Sequence, residues 1–557
     1  MRVRRQHDGI TAMAVAGTHV VLLGWDVAAA DITARGILGF AIRRLRHSDG
    51  ERTWLGGMKT FEVVEPYPVP GEPVSTFRHP LQTFQWADYA ASPDQQYTYR
   101  VVAMSGAPGA LVAGAAVELA VRTEAVDQGR HAIFFNRGAV ASQEYARRFQ
   151  NRTPTEVGRS AYDWLSRGLV EGLEAFIGQA GAGDELLGAF YEFKSVRIYD
   201  ALKAAKKRGA VVSMLYDGDD QREANELALQ GQGMAAMSKA REHSGGFAHN
   251  KFIVFRRGQQ AEQVWFGSTN LSENGMYGHS NNAHVVRDAG IAGRYFDYWT
   301  ALDADQTKQP TAIRAEALSP LPGAAWHDEL TAVFSPRPTL AALDWYAELA
   351  AQASRALFTT FAFGMNSRFV PAYDTTDDVL RFALMEKKGN GRTYKEQAAE
   401  IDRIRRRPNV TVSVGHRIEV NLFDRWLAEI DRIVGEAHVL YVHTKYMLID
   451  PLGSQPIVIV GSANFSAAST TDNDENMLVI RGNKAVADVY LGEFMRLFSH
   501  YAFRESLTFS NATSAANALL RKHLIPSTRW IEGAQAGSGY FDAGSDRALR
   551  RTYFSGQ

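Results

Sequence analysis

His443 to Ser466 reads HTKYMLIDPLGSQPIVIVGSANFS. In a strand, residues i and i+2 point the same way. His443 and Lys445 therefore share one face, and Val442, Thr444 and Tyr446 take the other. A buried cation needs a partner, so this face asks for an anion. The same pattern stands 194 residues earlier as HNKFIVFRRGQQAEQVWFGSTNLS, His249 to Ser272. His443 and Lys445 fall on His249 and Lys251. Gly461, Ser462 and Asn464 fall on Gly267, Ser268 and Asn270. Further on, Glu475-Asn476 falls on Asn281-Asn282. The register holds without a gap, which marks an internal repeat. One position breaks it: Asp450 falls on Arg256.

A duplicated unit that packs on its copy brings the two HxK faces to one cleft. Two histidines, two lysines and two asparagines then surround a single space. Lysine supplies fixed charge, and Asn and Ser supply neutral donors, a set suited to phosphate. The plainer reading is two unrelated surface strands. Their recurrence with the same GSxN partners argues against it.

HxK(x)4D followed by GSxN resembles the phospholipase D superfamily. HTKYMLID with GSANFS matches in full, and HNKFIVFR with GSTNLS matches except for the aspartate. The resemblance covers roughly 123 to 510. It implies two pseudo-symmetric α/β lobes with the active site between them. It also implies metal-independent phosphodiester cleavage through a phosphohistidine. By position, one imidazole attacks phosphorus and the other serves as acid and base. Lys251, Lys445, Asn270 and Asn464 would hold the non-bridging oxygens. Ser268, Ser462, Asp450 and Asn281 would support them, Asp450 from the strand end. Glu475 stands where relatives place a carboxylate on a catalytic histidine, and the expected partner is His443. A charged His443 would then be the acid, and His249, matched only by the neutral Asn281, the nucleophile. A similar asymmetry marks the tyrosyl-DNA phosphodiesterase branch.

The rest of the chain organises around these motifs. Its 557 residues are 45% hydrophobic and 22% charged, which indicates several folded domains. With 61 basic and 61 acidic residues, net charge gives no argument for a nucleic-acid partner. With no cysteine, disulfides, thiolate metal sites and a cysteine nucleophile are excluded. That composition fits a cytoplasmic protein. The MRVRR start resembles a secretory signal, but Thr18, His19 and Asp26 interrupt the apolar run.

Residues 1–122 alternate in short segments such as HVVLLGWDV and YTYRVVAM. They read as a β-sandwich of fibronectin type III or immunoglobulin type, with Trp25 in the core and YTYRV as a tyrosine-corner strand. The partner of this domain is open. Strand–helix alternation places a first lobe at 123–305 and a second at 326–520. Pro310, Pro320 and Pro322 suggest a linker over 306–325, and the Gly- and Ser-rich end suggests a flexible tail over 521–557.

Several other features carry less. DGDD at 217–220 reads as a cap for the next helix rather than a metal site. His243, His279 and His284 lack metal spacing, and His279 and Tyr277 could line the cleft. The run 387–407 holds eight basic and three acidic residues, a solvated helix face or a contact for a polyanion or anionic membrane. No cofactor is implied. Phospholipid headgroup cleavage is the favoured activity. A nuclease or nucleic-acid-end phosphodiesterase and a transphosphatidylase are the alternatives. The intact motifs in both halves argue against a non-catalytic scaffold.

Overall fold

The computed structural model describes residues 1–69, 72–138, 142–150, 152–323, 326–389, 394–415, 442–508 and 523–557. At the N-terminus, β1 (Arg2–His7), β2 (Ile10–Ala16), β3 (Val21–Asp26) and β8 (Gln85–Asp88) form an antiparallel sheet in that order. A second sheet has the order β10-β9-β4-β5, from β4 (Gly39–Arg46), β5 (Arg52–Trp54), β9 (Gln96–Ala107) and β10 (Ala110–Arg122). A short pair, β6 (Gly56–Gly57) and β7 (Val74–Ser75), lies between them in sequence. Alternate side chains of both four-stranded sheets meet in one core that includes Trp25, Phe40 and Tyr99. Trp25 is fully buried and meets Phe40 edge-on at 5.5 Å. Residues 10–26, which resemble a signal segment in composition, are two strands of this core.

The expected flexible tail is corrected here. Trp530 lies in the sandwich core, and its indole N–H donates to the Ile37 carbonyl at 2.9 Å. The helix Asp546–Ser555, capped by Ser545, packs on β3. Gly24 permits this approach, since a Cβ there would sit 2.1 Å from the Phe554 carbonyl oxygen. Sparse aromatics in a Gly- and Ser-rich stretch gave no periodic signal, yet they are what bury.

Beyond the sandwich stand two seven-stranded sheets. The first runs β11-β17-β16-β15-β12-β13-β14. Its strands are β11 (His131–Phe135), β12 (Asp184–Phe190), β13 (Val211–Asp217), β14 (Ser238–Arg241), β15 (Lys251–Arg257), β16 (Gln260–Gly267) and β17 (Asn282–Val286). The second repeats this order as β18-β24-β23-β22-β19-β20-β21. Its strands are β18 (Leu330–Ser335), β19 (Ala356–Phe361), β20 (Leu380–Met385), β21 (Val410–Val414), β22 (Tyr446–Ile449), β23 (Ile457–Gly461) and β24 (Glu475–Arg481). In each sheet three neighbouring strands are parallel, joined by helical crossovers, and the rest are antiparallel. The repeat read in the sequence is thus a repeat of topology.

The two sheets share a core. Tyr295 and Tyr298, on the helix Ala289–Asp303 that follows the first sheet, pack on Phe252 of β15 and on Phe334 of β18. Tyr490, on the helix Lys484–Thr508 that follows the second, packs on Phe135 of β11 and on Tyr446 of β22. The expected linker at 306–325 is also corrected: Lys308–Leu318 is a helix. Pro310 sits in its first turn, where a missing N–H costs no intrahelical bond. None of the described helices is long and apolar enough to cross a membrane.

Candidate active site between the two sheets

His249 and Asn250 lead into β15, and His443 and Thr444 lead towards β22, so both HxK motifs lie at strand entries. Lys251 and Lys445 are buried, and each ammonium donates to the carbonyl of its own motif histidine at 2.5 Å. This spacing-two bond fixes each lysine beside its imidazole.

The histidines are held crosswise. Glu475, at the start of β24 in the second sheet, accepts from Nδ1 of His249 at 2.9 Å. Asn281, just before β17 in the first sheet, accepts on Oδ1 from Nδ1 of His443 at 2.8 Å. The expected Glu475–His443 pair is therefore corrected. Repeat alignment pairs residues within one copy, whereas the fold exchanges partners between copies. The exchange places both histidines at one interface. With Nδ1 engaged, each imidazole has Nε2 left for other chemistry.

The serines of GSxN support these partners. Ser462 donates to Glu475 at 2.6 Å, and Ser268 donates to Asn281 at 2.8 Å. The Asn281 amide nitrogen donates to the Gly275 carbonyl at 2.7 Å, which orients its oxygen towards His443. Asn270 and Asn464 are buried, each with an amide oxygen that has no partner among the described residues. Asn250 and Asn476 bridge the sheets directly at 2.8 Å.

Electrostatics follow from burial. Burial lowers His249 to about 4, although Glu475 pulls the other way. Burial also lowers His443, with Lys445 and His279 adding to the effect. Lys251 is lowered to about 7 by burial against the attraction of Glu475, Glu192 and Asp217. Lys445 falls well below its ordinary value, first through burial and then through Lys251. Burial opposes ionisation of Glu475, yet His249, Lys251 and Ser462 hold its carboxyl below the ordinary value. Of the buried carboxylates near the two lysines, Glu475 is the one that also pairs with a motif histidine.

Sequence reasoning gives three neighbours no role at this site and reads Asp217 only as part of a helix cap. Asp217, at the end of β13, accepts the Ala248 amide at 2.8 Å, and Glu386, just after β20, accepts the Val442 amide at 2.9 Å. Each buried carboxylate thus holds the residue before a motif histidine. Asp217 also accepts from the Gln221 amide, and Gln221 itself is the N-cap, so DGDD organises a loop rather than capping with its own side chains. Strand pairing makes Asp217 and Glu386 equivalents, but Asp against Glu at a shifted sequence distance hides this in the chain. Tyr191 packs on His249 at 4.9 Å, and Lys251 lies over its ring at 5.1 Å.

Asp450 stands apart from the site. It accepts backbone N–H groups of Ser354, Arg355 and Ala356 at the start of β19. Its repeat mate Arg256 pairs with Glu185 at the start of β12 and covers the Phe296 ring. Opposite charges thus do one job, tying the HxK strand to its neighbour. Among the remaining histidines, His243 is exposed and pairs with Asp305 at 2.8 Å, while His284 is buried against His131 at 3.0 Å. Tyr277 packs on Tyr162 at 4.8 Å. In the basic run, residues 390–393 lie outside the described residues. Lys388, Arg403, Arg405 and Arg407 are paired with Asp402, Asp374, Glu505 and Asp374.

No curated protein sequence matches this chain. Solved structures similar in part include a polyphosphate kinase from Porphyromonas gingivalis (13% identity, TM-score 0.36), covering 57% of this chain but only 46% of that one. Another is phosphatidylserine synthase of Haemophilus influenzae Rd KW20 (12%, TM-score 0.42; 60% and 85% covered). A third is yeast tyrosyl-DNA phosphodiesterase (10%, TM-score 0.33; 57% and 88% covered). Residues 173–301 and 395–498 match the family model described as "Cardiolipin synthase, PLD-like domain", and each stretch holds one complete HxK–GSxN set.

Proposed function

We propose that the chain is a phosphodiesterase of phospholipase D type, with two pseudo-symmetric lobes and His249 as the phosphorylated residue. The observation that carries this reading is the crosswise pairing of two buried histidines beside two buried lysines. In the proposed reaction, Nε2 of His249 attacks phosphorus and the P–O bond to the leaving group breaks. Protonated His443 gives its Nε2 proton to the departing oxygen. The ring of His249 becomes cationic, and the Glu475 carboxylate on its Nδ1–H neutralises that charge. Neutral His443 then takes a proton from water. The water oxygen bonds to phosphorus, the P–N bond breaks, and His249 recovers its electron pair. Lys251, Lys445, Asn270 and Asn464 hold the non-bridging oxygens.

His249 remains the proposed nucleophile for a new reason. A carboxylate partner favours the residue that becomes a cation on phosphorylation. The neutral amide of Asn281 leaves His443 free to release its proton.

A phospholipid diester is the first substrate class, in keeping with the description of the matching family model and the balanced net charge. Nucleic acid is the second class, and the same site could pass the phosphoryl group to an alcohol. The N-terminal sheets we read as a fibronectin- or immunoglobulin-like sandwich. The Ser92 amide donates to the Tyr97 hydroxyl at 2.9 Å near the start of β9, a tyrosine-corner contact that supports this. The test is cleavage of labelled phospholipids, DNA and RNA in EDTA. Turnover in chelator is expected, and loss restored only by a divalent ion would overturn the mechanism.

The pH profile should be bell-shaped in kcat/KM. Protonation of His249 removes the attacking pair, so the acid limb lies near pH 4. Deprotonation of His443, which burial lowers below the ordinary histidine value, removes the leaving-group proton and sets the alkaline limb. Deprotonation of Lys251 near pH 7 removes an anion-binding charge and steepens it. These limbs belong to the coupled site and are read from initial rates between pH 3 and 9.

A further inference from the structure

His279 stands two residues before Asn281, as Asn473 stands two before Glu475. The two are repeat mates with different duties. Asn473 accepts the Phe247 amide on Oδ1 at 3.1 Å, and its nitrogen lies 3.4 Å from Glu475. His279 does nothing comparable with its side chain. Both ring nitrogens are buried and have no partner among the described residues. Its ring centroid lies 5.4 Å from that of His443.

The position is built rather than loose. The Asn136 amide nitrogen donates to the His279 carbonyl at 2.7 Å, and the His279 amide donates to the Asn274 carbonyl at 2.8 Å. Gly138, at φ +53°, presses against the same carbonyl, where a Cβ would stand 2.7 Å away. Burial holds the ring neutral, lowering it to about 4 against the opposing pull of Glu192. A neutral imidazole offers one donor and one acceptor. Buried polar groups are ordinarily satisfied, so a site with both unspent points to a ligand.

We propose that His279 binds the leaving alcohol of the substrate and selects one that carries a second hydroxyl group. The inference rests on the phosphodiesterase reading, in which His443 protonates the leaving oxygen. A hydroxyl is donor and acceptor at once, which suits the neutral ring beside that histidine. A glycerol headgroup and a ribose share this chemistry.

The test compares kcat/KM for paired diesters. Phosphatidylglycerol is set against phosphatidylpropanol in mixed micelles, and thymidylyl-(3′→5′)-uridine against thymidylyl-(3′→5′)-2′,3′-dideoxyuridine, whose leaving nucleoside has no further sugar hydroxyl. The wild-type enzyme should prefer the hydroxyl-bearing member of one pair by about five- to tenfold, the scale of one neutral hydrogen bond. The pair that shows the preference names the source of the hydroxyl. In His279→Phe the ratio should fall to about one. His279→Asn, which restores a donor and an acceptor, should keep part of it. Thermal melting of both variants checks folding. A ratio unchanged from wild type in both variants overturns the inference. Equal losses on both members of the pair also overturn it, since His279 would then act only as support for His443. Cleavage of none of the four diesters by the wild-type enzyme overturns the phosphodiesterase reading itself, and this inference with it.

Discussion

His249→Ala is expected to lower turnover by about 10²–10⁴ and to abolish any covalent phosphoryl adduct. His443→Ala should lower turnover on an ordinary diester by a similar factor but behave differently on an activated one. With bis(p-nitrophenyl) phosphate, the leaving group departs without a proton. His443→Ala should therefore release a first burst of p-nitrophenol and then stall as adduct on His249, because the attacking water lacks its base. Rapid-quench measurement of the burst and peptide mapping of the trapped protein check both statements. An adduct mapped to His443 in the wild-type enzyme would reverse the roles and leave the reaction class standing.

Glu475→Gln is expected to cost about 10²–10⁴ in turnover, with the fold intact. The glutamine can still accept from Nδ1 of His249, as Glu475 does at 2.9 Å. It offers no charge against the cation that phosphorylation creates. The sign of a second effect separates this from loss of packing. Glu475 raises the pKa of His249 against the larger effect of burial. Removing the carboxylate should therefore move the acid limb of kcat/KM to lower pH while the maximum falls. Glu475→Asp should recover part of the rate. A limb that stays in place, with turnover near wild type, would show that the carboxylate carries no catalytic charge.

The recurrence of His-x-Lys and Gly-Ser-x-Asn at fixed spacing made the two sheets and most of the site legible in the chain. Polar residues at strand entries are few, and their repetition is not hidden by packing. The partner choice of Glu475 was not legible, because an aligned repeat says which residues are equivalent and not which ones touch. Asp217 and Glu386 escaped for a related reason. They work on backbone amides, and a carboxylate of either length can do so from a strand end. The helix Lys308–Leu318 was hidden by a proline placed where a helix tolerates one. Trp530 and the helix Asp546–Ser555 were hidden by the Gly- and Ser-rich setting of a few large side chains.

The exchange of histidine partners bears on how such a site can diverge. One half of the chain, taken alone, holds a histidine and a partner that belong to different pairs. A lone ancestor of this half would complete them only by associating with a second copy of itself, and both pairs would then be chemically identical. Fusion of two copies in one polypeptide removes that constraint. One pair can keep an acidic partner while the other drifts to an amide, so attacker and proton donor inherit separate identities. In this chain the two pairs are unequal in that way, Glu475 on His249 and Asn281 on His443.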